Sequence, residues 1–266
     1  MVAFLHWFLF LWGPAMGPHH FTSSEVEYAV IKGEKMGADI VRPADDKIYP
    51  GVLLVHGGSW SGRTRKDMTK IAEFIASHGF VVMNLSYRFA PAHRYPAQME
   101  DIDTAFTWFK TNATQVRMDP THIGGWGYSA GGHLISQWAV LQSKKNKAPV
   151  INAIVSGGTP FDLSWYPESP IITHLLDGFR DKRLKEYKEA SPVNHVGPWV
   201  PPMFLYHGKT DTLVEAVQSS HMQNLVRDAG VDARLYVVDF WGHLGTFLFA
   251  PKPLEMGVSF LKEKLK

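Results

Sequence analysis

Gly127-Tyr128-Ser129-Ala130-Gly131 lies between two segments of different character. His122-Ile123-Gly124-Gly125-Trp126 precedes it and reads as a short buried strand. Gly132-His133-Leu134-Ile135-Ser136-Gln137-Trp138-Ala139-Val140 follows, with an apolar stripe at helical spacing. Strand, sharp turn, helix is the setting in which G-x-S-x-G becomes a nucleophile elbow rather than an ordinary glycine turn. Glycine is needed two positions either side of the serine, because strand and helix backbones pass there too closely for a Cβ. The pattern predicts a strained Ser129 whose Oγ stands clear of the sheet above a helix N-terminus.

Outward from the elbow, the chain alternates short apolar runs with amphipathic segments. Residues 25–32 and 38–42 form a leading hairpin turned by Gly33-Glu34-Lys35. Strands are predicted over 51–55, 80–85, 152–156, 203–206 and 233–240, and helices over 66–77, 100–111, 213–229 and 254–265. Between 159 and 199 the alternation lapses into a proline- and aromatic-rich stretch with room for short helices over 171–179 and 182–190. Such alternation predicts an α/β domain with a mostly parallel sheet covered on both faces. The organisation is then one domain over 18–266, with a small cap inserted at about 159–199.

Composition narrows the partners. The 266 residues are 45% hydrophobic and 20% charged, with a net charge of +2, as in an ordinary globular domain. No lysine or arginine cluster forms a basic face, so neither nucleic acid nor an anionic membrane surface is implied. With no cysteine there is no disulfide, thiolate metal site or cysteine nucleophile. His19-His20 has no metal-ligand spacing, and neither a metal nor a cofactor is expected. Asn112-Ala113-Thr114 matches a glycosylation acceptor at the rate chance allows. Residues 1–17 open with an apolar run that suits a signal-peptide core but lacks a preceding positive charge. Read as a signal, it implies a secreted or periplasmic protein; otherwise the protein is cytoplasmic. The run is too short for stable membrane insertion, and its other uses are packing on the domain or a homodimer contact.

A serine hydroxyl needs a base in hydrogen-bond reach and an acid to orient that base. In this topology the chain order is serine, acid, histidine. Asp211, in the loop of His207-Gly208-Lys209-Thr210-Asp211, is the acid candidate, and His243, just after the last strand, is the base candidate. Both fall in loops at the carboxyl ends of predicted strands, where open parallel sheets place their sites. His221 inside a helix, His207 ahead of the acid and Asp239 at a strand end are weaker rivals. Donors for an oxyanion come from His56-Gly57-Gly58-Ser59-Trp60 after strand 51–55, with the Gly57 and Gly58 amides joined by that of Ala130. His56 reads as a structural hydrogen-bonder. Ser59, Trp60, Tyr128, Trp165 and Trp241 are candidates for the substrate pocket, with Tyr166 and Ile171 also in the cap.

These motifs, together with Tyr87-Arg88-Phe89-Ala90-Pro91, Tyr95-Pro96-Ala97, Phe161-Asp162-Leu163 and Ala190-Ser191-Pro192, span roughly residues 50 to 245. The chain resembles the α/β-hydrolase superfamily, in the branch of bacterial feruloyl/acetyl-esterase-like and hormone-sensitive-lipase-like carboxylesterases. Ser59 stands where the lipase-like group has a third glycine, whereas Trp60 and Gly132-His133-Leu134 look closer to the feruloyl/acetyl group. The resemblance implies an eight-stranded α/β-hydrolase sheet. It also implies a serine carboxylesterase acting on short-chain or small aromatic acyl esters through an acyl-enzyme, with a small-molecule ester as its partner. The alternatives are an arylformamidase cleaving N-formylkynurenine and a hydrolase-fold binding protein without activity.

Overall fold

The computed structural model describes residues 14–266; the apolar run that opens the sequence, with the signal-peptide reading placed on it, therefore lies outside the described residues. Eight strands form one sheet in the order β1-β2-β4-β3-β5-β6-β7-β8. They are β1 (Phe21–Ile31), β2 (Glu34–Pro43), β3 (Tyr49–Val55), β4 (Val81–Leu85), β5 (Met118–Tyr128), β6 (Ala153–Gly157), β7 (Met203–Gly208) and β8 (Ala233–Val238). The hairpin β1–β2 and the pair β2–β4 are antiparallel, and every other pair is parallel. The α/β-hydrolase sheet expected from the sequence is borne out. The hairpin turns at Lys32-Gly33, where both residues take positive φ (50° and 84°).

β3 shows why both faces are covered. Leu53 and Val55 enter one apolar cluster while Val52 and Leu54 enter the other, since successive side chains leave a strand on opposite faces. Helices α1 (Thr69–Ser77) and α9 (Pro251–Lys264) close the Val52 face, with Phe74, Ile75, Phe260 and Leu261 buried against it. The Leu53 face is covered by α2 (Ala97–Thr111) and α4 (Ala130–Asn146), which bury Ile102, Phe109, Leu134, Ile135 and Trp138. α7 (Val217–Asp228) adds Met222 and Val226 to the same cluster. A short helix α3 (Ala113–Val116) leads into β5.

Several elements differ from the sequence reading, two of them for a reason visible in local hydrogen bonds. The helix expected at 66–77 begins as a 3-10 turn, Arg65–Met68, which Thr64 and Asp67 close with a reciprocal capping box. The helix expected from 213 starts at Val217, because the Asp211 carboxylate takes the Leu213 and Val214 amides at 3.0 and 2.9 Å. After β8, a helix α8 (His243–Phe249) stands where only a loop was expected. Residues 159–199 hold two 3-10 turns and the helices α5 (Pro170–Leu176) and α6 (Arg180–Glu189), with Ser169 capping α5. Among the described residues, no helix is long and apolar enough to cross a membrane.

Candidate active site

The end of β5 and the start of α4 meet at Ser129, which has φ 53° and ψ −124°. That conformation is strained for a residue with a Cβ, at about 1–3 kcal/mol. It persists because the backbone is fixed on both sides: the Ser129 N–H donates to Gly157 O at 2.8 Å, and Ser129 O accepts from the His133 amide at 2.9 Å. A Cβ on Gly127 would lie 2.4 Å from Gly131 backbone atoms, and one on Gly131 would lie 2.1 Å from Val55 O. Both glycines are therefore dictated by close approach of main chains.

Ser129 Oγ lies 2.9 Å from His243 Nε2, and His243 Nδ1 lies 2.6 Å from Asp211 Oδ2. An ionised carboxylate only accepts, so Nδ1 carries the proton and Nε2 is free to accept from the serine hydroxyl. The Asp211 side chain is fully buried and that of His243 is 9% exposed, which keeps the pair out of competition with water. Burial pushes the Asp211 carboxyl up, but the neighbouring His207 and His243 rings and the Val214 amide outweigh it and hold the group below the usual carboxylate range. Tyr128 steadies the base from below: its hydroxyl donates to His243 O at 2.6 Å.

β3 ends at Val55, and the loop His56-Gly57-Gly58-Ser59-Trp60 then passes over Ser129. Gly58, Ser59 and Trp60 take φ of 117°, 56° and 59° in succession, a left-handed run in which only the first residue is glycine. A Cβ on Gly57 would meet Tyr128 O at 2.9 Å and the Ser129 Cβ at 3.3 Å, so this loop lies directly against the elbow. The Gly58 carbonyl is engaged by the Ser61 and Gly62 amides at 3.1 Å each. His56, wholly buried, donates from Nδ1 to Gly57 O at 2.7 Å and stacks on Tyr87.

Two cavities meet at Ser129. The smaller, about 70 Å³, is bounded by Ser59, Trp60, Ala130, Tyr166, Ile171 and Ile172. The larger, about 340 Å³, is bounded by Gly57, Gly58, Tyr128, His243, Phe247 and Leu248, with Arg63 and Asp67 toward its rim. Ser59 and Leu213 border both.

Trp165 and Trp241, candidates from the sequence for this pocket, border neither cavity. Trp165 is 44% exposed and stacks on His221, while Trp241 packs on Phe249 and over Gly245. Asp239 stands apart in an exposed pair with Lys209. His207 is not a bystander: it is buried 3.3 Å from Asp211. Leu244, Phe247 and Leu248 also border the larger cavity, and the sequence does not single them out because α8 carries no signal there. Among the described residues, no group of histidine and acidic side chains is placed to hold a metal ion.

The protein resembles several known proteins. Its sequence is 27% identical over 202 residues to the probable carboxylic ester hydrolase LipM of Mycobacterium tuberculosis, covering 70% of this chain and 47% of that one. It is 34% identical over 120 residues to the carboxylesterase NlhH of the same organism, covering 44% of this chain and 34% of that one. The chain spans about half the length of curated relatives such as LipM and the esterase LipQ. Among solved structures, a truncated carbohydrate esterase from gut microbiota superposes with a TM-score of 0.77 at 23% identity, covering 95% of this chain and 99% of that one. The butyrate-bound Est2 of Thermogutta terrifontis gives 0.76 at 23% identity, covering 91% and 94%. These two establish the same fold. Residues 38–226, most of the chain and including both the glycine loop and the serine elbow, match BD-FAE, and the protein belongs to that family.

Proposed function

We propose that the protein is a serine carboxylesterase for short acyl esters. The observation that carries this reading is the unbroken line from Ser129 Oγ through His243 to Asp211, at 2.9 and 2.6 Å. The names of relatives such as LipM and NlhH support it.

In this reading His243 Nε2 takes the hydroxyl proton as Ser129 Oγ bonds to the ester carbonyl carbon. Asp211 holds the imidazolium that forms, and the carbonyl oxygen takes up the negative charge. The Gly57, Gly58 and Ala130 amides face that charge as the oxyanion hole, each such donor being worth about 3–4 kcal/mol in the transition state. The C–O bond to the alcohol then breaks, and His243 returns its proton to the leaving oxygen. Water repeats the sequence on the acyl-enzyme and frees the acid.

Because the leaving oxygen must be reached by His243 Nε2, the alcohol belongs in the cavity that His243 borders and the acyl chain in the one beside Ala130. The size of the latter, about 70 Å³, favours acyl groups of a few carbons over a long lipid chain. Residues 159–199 act as the cap over this acyl side, through Tyr166, Ile171 and Ile172.

The test is a rate series on acetyl, butyryl, octanoyl, feruloyl and N-formyl substrates, with a fluorophosphonate label and Ser129→Ala. Hydrolysis fastest on short acyl esters, stoichiometric labelling, and loss of both in the variant are expected. Undiminished turnover by Ser129→Ala would sink the reading, and preference for N-formylkynurenine over phenyl acetate would reassign it to a formamidase.

A further inference from the structure

His133 sits one turn beyond Ala130 on α4, wholly buried, and takes no part in the chemistry above. Its two ring nitrogens face two other segments. Trp60 Nε1 lies 3.1 Å from Nδ1, and Ala190 O lies 2.7 Å from Nε2. An indole only donates and a carbonyl only accepts, so Nδ1 must be bare and Nε2 must carry the proton. One neutral tautomer is thus written into the fold. Burial holds the imidazole down at about 4, the Ala190 hydrogen bond opposing only in part, so this arrangement persists through neutral pH.

The segment so anchored is the one that needs an anchor. Ser59 and Trp60 hold left-handed backbones that a residue with a Cβ adopts only when its surroundings impose them. Trp60 is fixed at two points, its carbonyl by the Ala90 amide at 2.9 Å and its indole by His133. An apolar side chain at 133 would leave a buried indole N–H and a buried carbonyl unpaired, so packing alone does not account for histidine here.

We propose that His133 is the positioning residue of the oxyanion loop, which it fixes through the Trp60 indole against the same helix that carries the Ala130 amide. The proposal rests on the esterase reading for its consequence: loss of the link costs turnover, because amides displaced from the oxyanion matter in the transition state more than in substrate binding.

Three variants separate the two hydrogen bonds. Trp60→Phe removes the indole donor. His133→Asn keeps an acceptor near the Nδ1 position and gives up the bond to Ala190. His133→Gln reaches the Nε2 position and gives up the bond to Trp60. Trp60→Phe and His133→Gln should each lower kcat on phenyl acetate by about 10- to 100-fold, with KM changed by less than about threefold. Their double variant should be little worse than either alone, and His133→Asn should recover most of the loss. Affinity for a trifluoromethyl ketone should fall in step with kcat/KM. Hydrogen exchange of the Trp60 indole proton, slow in the wild type, should become fast in His133→Gln and stay slow in His133→Asn.

Unchanged kcat in Trp60→Phe and His133→Gln, or equal losses in both His133 variants tracking their unfolding temperatures, would overturn the proposal. A wild-type protein without Ser129-dependent ester hydrolysis would overturn the esterase reading instead. The indole-proton exchange would still decide whether His133 holds the loop, and equal exchange in wild type and His133→Gln would show that it does not.

Discussion

His207 and Asp211 form a fully buried pair, with His207 Nε2 3.3 Å from the same Oδ2 that accepts from His243 at 2.6 Å. His207 Nε2 also lies 2.7 Å from Val214 O, which makes it the protonated nitrogen, and Nδ1 accepts from the Ser219 hydroxyl at 2.7 Å. The Leu213 and Val214 amides donate to Oδ1 and His243 Nδ1 to Oδ2, so Asp211 accepts three hydrogen bonds with the His207 ring packed beside them. The carboxylate is held in one orientation by its whole surroundings. Asp211→Asn replaces one acceptor by a donor that faces protonated nitrogens, and the expected loss in kcat is about 1,000- to 10,000-fold. Steady-state rates beside a thermal melt check this; a loss below tenfold would remove Asp211 from its proposed role.

Two buried histidines make the fold sensitive to acid. Burial lowers His56 and His133 from 6.5 to about 4, each offset in part by a carbonyl hydrogen bond. The unfolded chain therefore takes up protons first as pH falls from about 6.5, while the folded chain holds out to about 4. Stability is at its full value above that window and declines through it, by at most about 3 kcal/mol for each histidine. Urea unfolding at pH 7.5 and 4.5 should reveal the decline, and a smaller decline in His56→Asn. A pH-independent midpoint over this range would contradict it.

Close approach at the elbow predicts an unequal response to one methyl group. Gly131→Ala puts a Cβ 2.1 Å from Val55 O and 2.5 Å from His56 O, both main chain of a central strand and its loop. Neither can withdraw, and a cost of about 3 kcal/mol or more follows. Gly230, with φ 81°, has nothing within 4 Å of such a Cβ, so Gly230→Ala should cost only about 1 kcal/mol of backbone strain. Unfolding midpoints of the two variants make the comparison; equal midpoints would refute the packing argument at Gly131.

The sheet is legible in the sequence because β3, β4, β6 and β7 are nearly uniform in burial, and a strand covered on both faces needs apolar side chains at successive positions. Ser129, Asp211 and His243 are legible because chain order and loop position constrain them before any coordinate is known. The pocket is less so. Trp165 and Trp241 look like lining residues by size alone, yet which way a loop aromatic points depends on partners such as His221 and Phe249, remote in sequence or without a recognisable spacing. α8 is hidden because Gly242 and Gly245 flank His243 and read as loop, whereas the helix forms around Thr246, buried beneath it. His207 ranks low as a functional residue for standing ahead of the acid, and only the fold brings its ring against Asp211.

The division of the site into two cavities leads to a prediction about selectivity. Ile172 is 3% exposed and borders only the small cavity, whereas Leu248 is 58% exposed and borders only the large one. Ile172→Ala removes three carbons from the acyl side, and kcat/KM for butyryl relative to acetyl esters should rise about tenfold. Leu248→Ala opens the other side, so it should alter preference among alcohols at constant acyl group and leave the butyryl-to-acetyl ratio within about twofold. Competing pairs of p-nitrophenyl and alkyl esters would measure both ratios in one assay. If Leu248→Ala moves the acyl ratio and Ile172→Ala the alcohol preference, the ester lies the other way round. His243 would then border the acyl chain, and the placement argued from its reach to the leaving oxygen would be overturned.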